Sequence, residues 1–100
     1  MTLESFKQSV AADPEPPEEL PDLLKALWCA RRGRWHEAHE LVQDESSSLA
    51  SWIHAHLHLI EGDLENAAYW YRLARREASD ASRIDSEWET IAAEVVEALA

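Results

Sequence analysis

One hundred residues carry twenty acids against nine bases, five tryptophans, 46% apolar residues, two glycines and four prolines. That describes one domain with a modest core, too apolar for disorder along its length and too poor in turn residues for an all-β fold. A formal charge of −11 argues against nucleic acid or an anionic membrane as partner, because phosphate neutralisation needs a basic face.

The acidity belongs to the ends. Residues 1–22 hold six acids and one base, and residues 77–100 hold seven acids and one base, whereas 23–76 balance seven against seven. These charge runs read as solvated faces, and Arg31, Arg32 and Arg34 as a helix C-terminus meeting its dipole. The single Cys29 has no disulfide partner and no Cys-x-x-Cys knuckle. The N-terminus lacks the apolar core of a signal peptide, and no apolar run approaches the ~20 residues that cross a bilayer. The expected setting is soluble, reducing and cytoplasmic.

Along the chain, Leu3, Phe6 and Val10 mark a short amphipathic helical segment. Asp13-Pro14-Glu15-Pro16-Pro17 ends it, since proline removes donors and pushes the preceding residue out of the α region. Residues 1–19 therefore read as an N-terminal segment with an acidic, proline-rich linker, and 20–100 as a single α-helical, repeat-like domain. Leu20, Leu23, Leu24, Leu27 and Trp28 predict a helix to about Arg32, stopped by Gly33. Trp35, Ala38, Leu41 and Val42 predict a second. The serines at 46–48 offer an N-cap for a third, from about Leu49 to Glu61, stopped by Gly62. Asp63 caps a fourth, running to about Ala78. Asp80 or Ser82 caps a fifth, whose stripe is Ile84, Trp88, Ile91, Ala92, Val95, Val96 and Leu99.

Superposing the glycines exposes an internal repeat. Gly33-Arg-Trp35-His-Glu-Ala38 aligns with Gly62-Asp-Leu64-Glu-Asn-Ala67 at an offset of 29, and Leu20, Leu24 and Trp28 align with Leu49, Ile53 and Leu57. The unit is a helical hairpin used twice. The pattern Gly62-x-Leu64-x-x-Ala67-x-x-x-Tyr71-x-x-Ala74 resembles the second half of a tetratricopeptide repeat. That likeness implies an all-α fold of two such hairpins, with the C-terminal helix as cap. Ala38-His39, Trp52 to Asp63 and Asn66 to Tyr71 together resemble a family of small uncharacterised helical proteins. Its motif is Trp-x-His-Ala-x-Leu-His-x-x-Glu-Gly-Asp followed by Asn-Ala-x-Tyr-Trp-Tyr, and it implies no activity.

The chemistry concentrates in the third predicted helix. At 100° per residue His54, His58 and Glu61 share one face while His56 points nearly opposite. Spacing i, i+4 lets two imidazoles share a metal, with Glu61 as a third ligand or a base. In the repeat register His54 and His58 face the partner helix at positions that normally hold Leu and Tyr, meeting Ala67, Tyr71 and Ala74, with His39 and Trp35 nearby. Such intruders are explained either by a structural network of hydrogen-bonded imidazoles, the favoured account, or by a metal or organic ligand. His36 is expected at the surface. Trp52 and Trp70, if exposed, would line a groove for a partner.

No nucleophile motif or phosphate loop is present. The favoured function is a non-catalytic interaction or scaffold module without cofactor, acting on a protein partner or by self-association. The second is a metal- or small-ligand-binding protein, extending to an enzyme, with zinc or another divalent metal at His39, His54 and His58 and with Glu61 and Tyr71 beside them.

Overall fold

The computed structural model describes all 100 residues, as six α-helices and one 3-10 turn, with no strand: α1 Leu3–Ala12, α2 Asp22–Arg31, α3 Trp35–Val42, α4 Ser48–Glu61, α5 Leu64–Ala74, the turn Ala81–Arg83, and α6 Ile84–Ala98. No helix is long and apolar enough to cross a membrane. α2 packs on α3 and α4 on α5, while α6 lies against both α4 and α2. This arrangement is compatible with two hairpins covered by a C-terminal helix.

The turns form where the sequence demands them. Gly33 and Gly62 sit in the left-handed region at φ +77° and +84°, where a side chain would be strained. After Gly62 the Asp63 amide returns to the His58 carbonyl at 3.0 Å, closing the exposed end of α4. The Ser47 hydroxyl and the Asp63 carboxylate accept from Ala50 and Asn66 amides, starting α4 and α5. A Cβ on Gly62 would meet nothing within 4 Å, so Gly62→Ala should cost only the backbone strain, about 1 kcal/mol in thermal or urea unfolding. A substitution that cost nothing would mean that the turn does not depend on this left-handed residue.

Three expectations about the elements change. α5 stops at Ala74 rather than near Ala78, because Arg75 itself turns left-handed at φ 59° and sends the amides of Arg75 and Arg76 back to Arg72 and Tyr71. The N-terminal segment is a full ten-residue helix, begun by a reciprocal cap between Thr2 and Ser5. It is also not separate from the rest: Phe6 and Val10 belong to the same buried core as Trp28 and Trp88, and the Phe6 ring stacks on Trp88 at 5.8 Å.

The basic knot does more than meet a helix dipole. The Arg32 guanidinium donates to the carbonyls of Val10 and Asp13, at 3.1 and 2.6 Å. Arg34 grips both oxygens of Glu15, at 2.9 and 2.7 Å, and donates to the Pro14 carbonyl. Proline removes the linker's own donors, and these two arginines supply replacements, strapping residues 10–15 to the end of α2.

Candidate metal centre

α4 is the central element. Every residue from Ala50 to Leu59 is buried, so its side chains meet protein on all sides. Three histidines in such a helix must find partners inside the molecule, since a buried unpaired polar group costs on the order of 1–3 kcal/mol. They do so in two groups on opposite faces, following the 100° rotation between neighbours.

On one face His54 and His58 meet His39 of α3. The Nε2 atoms of His39 and His54 lie 3.0 Å apart, and one ligating nitrogen from each of the three rings falls within 4.8 Å of the others. His58 turns Nδ1 to the Glu61 carboxylate at 2.7 Å, leaving Nε2 as its other ring nitrogen. Two indoles brace the group: Trp35 stacks on His39 at 4.9 Å between centroids, and Trp70 on His54 at 3.8 Å. Trp35 is fixed in turn by its Nε1–H, which donates to the Leu57 carbonyl at 2.7 Å.

The electrostatics favour the neutral form of His54 and His39. Burial, then the neighbouring His39 and His58, pushes the His54 pKa down to about 4. His39 is lowered as well, by burial and then by His58. Neutral imidazole is the form that ligates a metal. His54 is only 4% exposed, and its Nδ1 has no partner. Across the helix, His56 Nε2 is likewise without a partner, so this feature is common to both histidine groups.

On the opposite face His56 turns away as its spacing requires, and meets a residue that the sequence does not single out. Glu87 of α6 receives His56 Nδ1 at 2.6 Å, the Trp52 Nε1–H at 3.2 Å, and the Tyr71 hydroxyl, which lies 2.9 and 2.7 Å from its two oxygens. Its side chain is 8% exposed. Burial alone would raise the Glu87 pKa, but the bonds from His56 and Tyr71 outweigh it and hold the carboxyl below the ordinary glutamate value. Burial and the same carboxylate push the Tyr71 phenol well above its usual range. The Arg76 guanidinium covers the outer face of Trp52 at 3.9 Å.

Two assignments are thereby corrected. Tyr71 does not face the histidine pair: its hydroxyl belongs to Glu87, on the far side of α4. Trp52 offers a partner little surface, being 5% exposed with its N–H bound inside the protein. Trp70 is half-buried against His54, its indole spent on that stack. His39, His54, His58 and Glu61 come together, and His36 stays at the surface. A signal for Glu87 does exist: it lies three residues after Ile84 and four before Ile91, inside the apolar stripe of α6, where Trp52 and Tyr71 bring polar tips that need an acceptor.

No family model, curated protein or solved structure matches this chain. Three neutral nitrogen ligands suit zinc and its first-row neighbours, whereas calcium and magnesium take oxygen. Tetrahedral zinc at ordinary Zn–N distances spaces its nitrogens about 3.3 Å apart, so the 3.0 Å pair need open only slightly while the widest separation, within 4.8 Å, closes. The Glu61–His58 bond is the usual outer support of a metal-bound histidine, fixing its tautomer and strengthening it as a donor.

Proposed function

We propose that this protein binds a divalent transition metal, zinc foremost, through His39, His54 and His58, with Glu61 positioning His58. The observation that carries the reading is the convergence of three imidazoles from two helices, one ligating nitrogen of each lying within 4.8 Å of the others. Because His39 belongs to α3 and the other two to α4, the ion would tie the α2–α3 pair to α4–α5.

The test is a zinc titration of tag-free, chelator-treated protein, followed by calorimetry and by metal analysis after gel filtration. One zinc per chain is expected, with a rise in unfolding free energy of about 2.7 kcal/mol at free zinc a hundredfold above Kd. His39→Ala, His54→Ala and His58→Ala should each abolish stoichiometric binding, and His36→Ala should leave it intact. Glu61→Gln should weaken it by about 10–100-fold. Retention of no metal at micromolar zinc would end the reading.

A role as interaction module is compatible with this. What supports it is no longer a tryptophan but the pair Tyr69 and Leu73, one turn apart on α5 and 49% and 48% exposed. Loss of a co-purifying partner or of self-association on Tyr69→Ser and Leu73→Ser would be its test.

A further inference from the structure

The same cluster limits what the metal can be for. Resting on the metal reading above, we infer that the ion keeps one exchangeable position, which takes water or a small monodentate anion. Structural zinc sites are closed by four protein ligands, whereas three protein ligands with an open fourth place mark a site that exchanges ligands.

Only three donors converge here, and each neighbouring candidate for a fourth is committed elsewhere. Glu61 holds His58 Nδ1 at 2.7 Å, and with Asp63 it groups around His58 at the exposed end of α4, apart from His39 and His54. Asp63 caps α5 through the Asn66 amide. His56 is bound to Glu87 on the opposite face of α4. His36 is exposed on α3, and Cys29 is buried in α2 outside the cluster. The remaining walls, Trp35 and Trp70, have no lone pair to give.

Charge and access set the ligand class. Three neutral imidazoles cancel none of the dication's charge, so an anion gains the full attraction. His39, Trp35 and Trp70 are each half-buried rather than sealed, which leaves the cluster open at its α3 and α5 side. With His54 and His58 buried and the other walls half-buried, only small donors such as azide or a simple carboxylate fit beside the rings.

Cobalt(II) in place of zinc reports the coordination sphere directly through its visible d–d bands. The protein is loaded with one cobalt per chain and titrated with sodium azide, while a parallel titration monitors metal retention. The expected result is a saturable shift of the bands at one azide per cobalt, with the metal retained and with His36→Ala behaving as the parent. Cobalt bound at one per chain with bands that azide does not move would overturn the exchangeable position and leave metal binding standing. Failure of the chain to hold cobalt or zinc at all would overturn both.

Discussion

Replacing Glu87 by alanine is expected to cost the fold about 3–5 kcal/mol, the largest loss predicted for any single polar residue in the chain. The carboxylate is the shared acceptor of Tyr71, His56 and Trp52. Its removal strands three buried donors from three different positions, and leaving such groups unpaired costs far more than forfeiting the bonds themselves. Tyr71→Phe should be milder, about 1–2 kcal/mol, because Glu87 keeps His56 and Trp52. Urea denaturation of the two single variants and the double variant reads both numbers, and the double should fall well short of their sum since one removes the other's partner. A Glu87→Ala protein within 1 kcal/mol of the parent would show that the cluster is solvated and not buried. At zinc concentrations where the variant is folded, its zinc affinity should match the parent's, as the cluster lies across α4 from the three histidines.

The second large effect is on the metal-free protein in mild acid. Unfolded, His54 takes up a proton near its ordinary value of 6.5, whereas in the fold it resists until about pH 4. Between those values the unfolded state binds more protons, so stability present above pH 6.5 is lost as pH falls toward 4. For a shift of this size the loss approaches 3 kcal/mol at full effect. His39, lowered in the same direction, adds to it. Glu87 acts later, because a carboxyl held below its usual value gives up its contribution only as pH falls through that lowered value. His54→Leu, close in volume and apolar as the repeat position prefers, should flatten the decline between pH 6.5 and 4, leave the steeper fall below it, and forfeit metal binding. An acid profile of His54→Leu superimposable on the parent's would show that His54 is not held neutral by the fold.

Much of this arrangement is readable from residue spacing. The two glycines place the turns, and helical rotation separates His54 and His58 from His56 before any contact is known. The partnership with His39 follows from the hairpin register. Other features depend on which helix lies across from which. Glu87 sits among Asp85, Glu89 and Glu94 in an acidic stretch, and only the approach of α6 to α4 and α5 selects it over its neighbours. Tyr71 fits the seam with His54 by spacing alone, yet its hydroxyl follows the charge it can reach. α5 is cut short by a left-handed arginine, which no propensity anticipates. The N-terminal helix joins the core through Phe6, and its linker is held by arginines about twenty residues away in sequence.

The opposed clusters on α4 also fix something that neither fixes alone. Each has its own acceptor or ring on a different neighbouring helix, so a rotation of α4 about its axis that eased one would pull the other apart. The helix is thus pinned in rotational phase from two sides, and its sliding is opposed as well. Inserting one residue between Ala50 and Trp52 would turn the following side chains by about 100° relative to the preceding ones. It would unseat the imidazoles from His39 and Glu87 in the same step, and no compensating substitution on a single face could restore both.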